Sequence, residues 1–320
     1  MRLVFMGTPE FAVASLQALV AAGHRVLGVF TQPDRQAGRG KQLQPSPVKI
    51  AALERGLPLY QPERVTQAES VDLLRELKPD GIIVVAYGQI LSKEILELPP
   101  KGCVNVHASL LPAYRGAAPI HWAIIHGEAV TGVTTMLMDE GLDTGDVLLQ
   151  RELRISPQVT MGEIHDALAN MGAELLLQTL QDWEMGQVRP LPQKGVSCYA
   201  PRLQRQDEQL DWAKSALMIH NRIRGLNPWP GAYTRFRDET VKVWRSQLVS
   251  REEAAEHPEQ MKPGEIIGFH ETGVLVNTGN GSLCLLEVQP TGKRRMSARD
   301  FLLGRHGKPG EVFEGWKDHV

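Results

Sequence analysis

The sequence has few cysteines, no long apolar run and almost no net charge. Cys103, Cys198 and Cys284 are odd in number and far apart. That excludes a disulfide framework and any zinc-knuckle spacing, and it makes a reducing, cytoplasmic setting the expectation. No apolar stretch nears the roughly 18 residues that cross a bilayer. The longest ones, such as Gly81 to Ala86, have strand length, so no membrane partner is expected. The opening MRLVFMGTPEF carries one basic residue and reaches Glu10 without a small-residue cleavage site. It reads as a buried first strand and not as a signal peptide. Net charge is only −2. Basic and acidic residues are equal in number after residue 205 and nearly so before it, so a nucleic-acid partner would have to be met by local clusters. No G-x-G-x-x-G follows an early strand, which argues against a nicotinamide dehydrogenase. Internal repeats and low-complexity tracts are lacking too.

What is present is ordinary globular composition, 42% hydrophobic and 22% charged, which excludes a disordered or collagenous chain. With 320 residues, about twice the ~150 typical of one domain, two domains are expected. The first half alternates strand and helix patterns. Strands are expected at 2–6, 25–30, 81–86, 102–106 and 132–138, and helices at 11–22, 48–55, 69–77, 118–126 and 160–185. This β-α-β-α order predicts an α/β fold, a Rossmann-like, mainly parallel sheet with helices on both faces. Residues 31–47 form a long Gly/Pro/Gln loop. Residues 187–206 hold three prolines and no hydrophobic periodicity. After a short helix at 213–224, five short strands (232–236, 240–248, 264–269, 273–277, 282–288) with Gly-rich turns suggest a small antiparallel, OB-like β-barrel. The resulting division is 1–189, a linker at 190–206, and 207–320.

In open parallel sheets ligands bind beyond the carboxyl ends of strands. Three polar loops are placed there. Gly7-Thr8-Pro9 is either a tight turn with a helix start or a ligand loop. Asn105 and His107 are two apart on an apolar strand, so both point to one face. They read as an active-site floor or as a strand end with a hydrogen-bonded core histidine. The stretch 138–146 packs carboxylates and two glycines into nine residues without EF-hand spacing, so it is a ligand-approaching loop or a solvated turn. Two basic clusters stand out: Arg35, Arg39 and Lys41 in the 31–47 loop, where Asp34 is the only acid, and Lys293-Arg294-Arg295 near the C-terminus. Each is a solvated surface unless a phosphate partner is present.

NVHASLLPAYRGAAPI (105–120) followed by MDEGLDTGDVL (138–148) resembles the 10-formyltetrahydrofolate-dependent formyltransferase family. GTPEFA (7–12), FTQPDRQAGRGKQLQPSPVK (30–49), VVAYGQIL (84–91) and NPWPGA (227–232) narrow the resemblance to the branch that formylates methionyl-initiator tRNA. It runs from Met1 to about residue 300; only LQRQDEQLDW (203–212) is less basic than the pattern. The resemblance implies a monomer that uses 10-formyltetrahydrofolate as co-substrate, with no metal and no covalent intermediate on Ser109. It implies Asn105, His107 and Asp143 as the catalytic trio. Ser109, Leu110, Leu111 and Pro112, with Tyr87 and Ile90, would line the folate site. Arg39 and Lys41, and Lys293, Arg294 and Arg295 on the barrel, would meet the tRNA. The competing reading within this chemistry is an amino-sugar nucleotide formyltransferase. A glycinamide ribonucleotide transformylase would lack the barrel, and a plain RNA-binding module leaves Asn105, His107 and Asp143 unexplained.

Overall fold

A computed structural model describes residues 1–37, 42–250 and 260–315. The chain divides into two compact units. One comprises Met1–Pro119, Val130–Arg154 and His165–Ala200; the other comprises Ile120–Ala129, Ile155–Ile164 and Pro201–Val320.

Up to residue 200 the elements in chain order are β1 (Arg2–Gly7), α1 (Glu10–Ala21), β2 (Arg25–Phe30), β3 (Arg35–Ala37), β4 (Gln42–Gln44), α2 (Pro47–Glu54), β5 (Leu59–Tyr60), α3 (Ala68–Leu77), β6 (Gly81–Val85), α4 (Lys93–Glu97), β7 (Cys103–His107), β8 (Arg115–Gly116), α5 (Pro119–Ile125), β9 (Val130–Leu137), β10 (Val147–Arg154), α6 (Met161–Glu184) and β11 (Tyr199–Ala200). The main sheet of the first unit has the order β10-β9-β7-β6-β1-β2-β5. β1, β2, β5, β6 and β7 run parallel. β9 is antiparallel to β7, and β10 to β9. The sheet is therefore mainly parallel, as the alternation of elements implies, but closes one side with a hairpin. β10 is absent from the sequence-based reading because beyond Leu148 it alternates half-buried and exposed positions and mixes charged residues into both. The direction of β9 is not legible either, since an apolar run looks the same both ways. The 31–47 stretch is not wholly a loop: β3 and β4 pair within it. Pro47 starts α2 and the Ser46 hydroxyl accepts from the Lys49 N–H, a Pro-at-N1 start with a serine cap.

On one face of this sheet Val4, Met6, Ile82, Val84 and Cys103 pack against Val71 and Leu74 of α3 and Ile95 and Leu96 of α4. On the other, Gly172 of α6 lies against Val106 and Val133. Alternation along β7 therefore puts Asn105 and His107 on the Cys103 face. The chain runs outward from β1 to β2 and β5, then returns to β6 and β7, so strand order reverses between β1 and β6. Ligand crevices form at the carboxyl ends of strands at such a switch.

The second unit adds α7 (Ala216–Gly225), β12 (Ala232–Phe236), β13 (Glu239–Leu248), β14 (Ile266–Phe269), β15 (Val274–Asn277), β16 (Ser282–Pro290), β17 (Met296–Ser297), α8 (Ala298–Leu303) and β18 (Phe313–Glu314). Its sheet has the order β14-β15-β16-β13-β12-β18, with β17 beside β16, and every pairing is antiparallel. The two edges meet at a Glu265–Val312 bridge, where the Phe313 N–H donates to Gly264 O at 2.8 Å and the Ile266 N–H to Glu311 O at 2.7 Å. The curled sheet encloses Trp212, Phe236, Val243, Val276, Leu285, Phe301 and Phe313. α7 begins at Ala216, three residues later than its apolar pattern suggests, because the Ser215 hydroxyl caps the Met218 N–H. β17, α8 and β18 are too short to carry a periodic signal.

Inside this unit His220 is only 3% exposed. Its Nε2 lies 3.0 Å from Pro157 O and its Nδ1 3.0 Å from Ser246 Oγ. A carbonyl only accepts, so Nε2 carries the proton and Nδ1 accepts from the serine. Burial, and secondarily the nearby Arg224 charge, hold its pKa below the ordinary 6.5. The unfolded chain takes up this proton near pH 6.5 while the folded chain resists it. The stabilisation is thus fully present above that pH and is lost as pH falls below it. Urea unfolding between pH 7.5 and 5 is expected to show the wild type losing stability more steeply than His220→Gln, by at most about 1.4 kcal/mol per pH unit. Parallel slopes would remove His220 from the acid response.

Candidate active site

β7 is buried along its length and ends in Asn105 and His107. The amide of Asn105, a residue 8% exposed, has no hydrogen-bond partner among the described residues. Buried amides are ordinarily paired, so this one is available to a bound molecule. His107 is fixed from the other side: its Nε2 lies 3.0 Å from Tyr114 O. That carbonyl holds the proton on Nε2 and leaves Nδ1 as the nitrogen that takes up or gives up a proton. Nδ1 faces Asp143 Oδ1 at 3.8 Å, close enough for a carboxylate to stabilise an imidazolium. The second carboxylate oxygen of Asp143 accepts from the Gly116 N–H at 2.8 Å.

The chain between His107 and Gly116 is held in a tight loop. Ser109 Oγ donates to Ala113 O at 2.6 Å. Thr134 Oγ donates to Ser109 O at 2.7 Å and accepts from the Leu111 N–H at 3.1 Å and from Gln150 Nε2 at 2.9 Å. That uses the full capacity of one hydroxyl. Gln150 also donates to Leu111 O at 2.9 Å. Ser109, Leu110, Leu111 and Pro112 thus present a shaped backbone directly after the two polar residues. Thr134 and Gln150 come from β9 and β10, and nothing in their local sequence marks them.

The acidic 138–146 loop sorts its own carboxylates. Asp139 accepts from Thr144 Oγ and from the Gly141 N–H, so it shapes the turn. Glu140 stands at the surface 3.9 Å from Lys93. Only Asp143 turns to His107, from a left-handed conformation with φ of 52°. Gly145 is required by close approach, since a Cβ there would overlap the Leu137 carbonyl oxygen. Among the described residues no group of three or more His, Cys, Asp or Glu is arranged to hold a metal ion.

On the neighbouring strand, Tyr87 follows β6 at the switch point. Its carbonyl accepts from Thr8 Oγ at 2.8 Å and from Gln32 Nε2 at 3.3 Å. Its ring is buried in the core, and burial pushes the phenol pKa well up. Ile90 is 88% exposed. Asp34 is engaged by α2 and by the residue after β5. It pairs with Lys49 at 2.6 Å and accepts from Gln61 at 2.8 Å, and the Lys49 bond, with Gln61, holds its pKa low. Arg39 and Lys41 lie outside the described residues. In the second unit Lys293, Arg294 and Arg295 are exposed on the turn between β16 and β17. Arg295 stacks over the Trp244 ring at 3.9 Å and lies 3.7 Å from Glu287, whereas Lys293 and Arg294 form no ion pair with a described residue.

Residues 1–180 match the family model described as formyl transferase, and residues 202–306 match that described as formyl transferase, C-terminal domain. The chain is 52% identical over 304 residues to the methionyl-tRNA formyltransferase of Pelotomaculum thermopropionicum, covering 95% of this chain and 96% of that protein. It is 49% identical over 318 residues to that of Desulforamulus reducens, covering 98% and 99%. Among solved structures it resembles an N-formyltransferase from Helicobacter canadensis in complex with folinic acid and dTDP-3-aminofucose. There the identity is 18%, the TM-score 0.62, and the match covers 89% of this chain and 98% of the other, a likeness of fold. Near-identical length with half of all positions shared, over both units, leaves one assignment: the chain belongs to the methionyl-tRNA formyltransferase family of formyl transferases.

Proposed function

We propose that this chain transfers a formyl group from 10-formyltetrahydrofolate to the α-amine of methionyl-initiator tRNA, as a cytoplasmic monomer. In this reading residues 1–189 are catalytic, 190–206 link, and 207–320 bind tRNA. The observation that carries the reading is the unpaired Asn105 amide on the same strand face as a His107 whose free nitrogen faces Asp143, in a chain of this family.

The folate supplies the formyl group as an amide of its N10. Asn105 NH₂ donates to the carbonyl oxygen, where negative charge grows as the amine attacks. A neutral donor held at a buried strand end needs little reorganisation, which is the basis of oxyanion stabilisation. His107, protonated on Nδ1, places a positive charge beside the same centre. Asp143 stabilises that imidazolium and helps carry the proton that leaves the attacking amine and ends on the departing nitrogen. Ser109 to Pro112 flank the folate. Tyr87 contributes chiefly through its backbone, and Ile90 offers an apolar surface to the flat ring system. Arg39 and Lys41 meet the acceptor end of the tRNA. Lys293 and Arg294, with Arg295 held on Trp244, meet phosphates through the barrel.

The activity is tested by offering the purified protein 10-formyltetrahydrofolate with methionyl-initiator tRNA or with an amino-sugar nucleotide. Formylation of the sugar in place of the tRNA overturns the reading. Asn105→Ala, His107→Ala and Asp143→Ala are each expected to lower turnover by at least ~10²-fold, the scale of losing one oxyanion donor or acid/base group. Their folding should persist, and near-wild-type turnover removes that residue from the trio. Arg39→Ala is expected to impair use of methionyl-tRNA with folate affinity unchanged; the opposite pattern assigns the loop to the folate. Replacing Lys293, Arg294 and Arg295 together by Ala should flatten the plot of log affinity for tRNA against log salt by about 1–3 units. An unchanged slope makes the cluster a solvated face.

A further inference from the structure

Asp143 sits on a loop whose tip, from Glu140 to Leu142, is exposed, yet its carboxylate must hold a fixed place beside His107. Two main-chain carbonyls of this loop, those of Asp143 and Gly145, both accept from one side-chain amide, Gln193 Nε2, each at 2.8 Å. The oxygen of the same amide accepts a fork from Arg115: Nε at 3.2 Å and Nη2 at 2.7 Å. Two cationic donors on one end and two carbonyls on the other fix the amide's orientation, because either reversal would set like dipoles together. Arg115 immediately precedes Gly116, whose N–H holds the Asp143 carboxylate. The contacts therefore form a ring from the Asp143 carboxylate to the Gly116 N–H, through Arg115 to Gln193, and back to the Asp143 carbonyl.

The ring is anchored at both sides of Gln193 by the segment that carries it. Leu191 forms an antiparallel bridge with Val147. Further on, Tyr199 and Ala200 of β11 pair with Arg115 and Gly116 of β8, and the Arg115 N–H donates to Cys198 O at 3.0 Å. A stretch without periodicity is thus a brace laid across the two chain segments that meet at Asp143.

We propose that Gln193 is a positioning residue for formyl transfer, holding Asp143 in register with His107 through its two carbonyl bonds. The proposal rests on the reading of Asp143 as a catalytic residue. Its consequence is kinetic. A displacement of about 1 Å at a reacting group costs up to ~10²-fold in rate, whereas neither substrate need touch Gln193. Gln193→Met, which keeps length and removes both polar ends, should lower kcat about 10–100-fold and leave KM for the folate and for methionyl-tRNA within about threefold. The deciding measurement is a double-mutant cycle. If Gln193 acts through Asp143, adding Gln193→Met to Asp143→Ala lowers kcat no further than Asp143→Ala alone. Losses that multiply overturn the proposal, and so does a wild-type kcat for Gln193→Met. An Asp143→Ala variant of wild-type activity instead removes Asp143 from the trio and the role of Gln193 with it. A loss of KM alone would assign Gln193 to substrate contact and also overturn the proposal. If Gln193→Met does not fold, Arg115→Gln frees the amide oxygen while Gln193 stays in place. It is expected to show the same lack of additivity with Asp143→Ala, and multiplied losses there overturn the proposal equally.

Discussion

A strand buried on both faces that ends in an amide and an imidazole imposes a strict requirement on the chain after it. Polar groups removed from water must find partners, and the loops around β7 are folded to provide them selectively. His107 receives the Tyr114 carbonyl on one nitrogen and the Asp143 carboxylate near the other. Asn105 receives nothing described. In the proposed reaction the Asn105 amide, with no partner among the described residues, is where the substrate oxygen belongs, and the bonds of Ser109, Leu111 and the Tyr114 carbonyl shape the 109–116 loop.

The same economy runs through the supports. Thr134 uses its single hydroxyl hydrogen and both lone pairs to join Ser109 O, the Leu111 N–H and Gln150. The antiparallel hairpin of β9 and β10 therefore matters to the site in two ways: its strands supply Thr134 and Gln150, and the loop that joins them carries Asp143. A fully parallel sheet would need a crossover at this edge and would not bring two consecutive strands beside the loop. Of the acidic residues in 138–146, Asp139 is spent on the turn itself, which frees Asp143 from any shaping role within its own loop and leaves it to be held from outside.

In the barrel unit, cations are placed on aromatic rings: Lys242 at 5.3 Å and Arg295 at 3.9 Å from Trp244, and Arg205 at 4.3 Å from Tyr233. Such pairs hold long side chains extended at modest energy, about 0.5–1 kcal/mol each at exposed sites, and present ordered positive charge without raising the net charge of the chain.

Much of the first unit was legible because strands buried on both faces must be apolar throughout, and helices between them must repeat every three or four residues. The period-two spacing of Asn105 and His107 along an apolar strand already places both on one face. Family resemblance singled out Asp143, which spacing did not separate from its acidic neighbours. Folding decides the rest. β10 hid behind its charged alternation, and β9 concealed its direction because an apolar run has none. Gln150, Gln193 and Arg115 gain their places only through partners 39, 50 and 78 residues away along the chain. Local pattern determines which residues are buried and on which side. Which polar group meets which across a sheet edge depends on strand order and loop closure, so only the tertiary structure could show that the stretch after α6 holds the loop carrying Asp143.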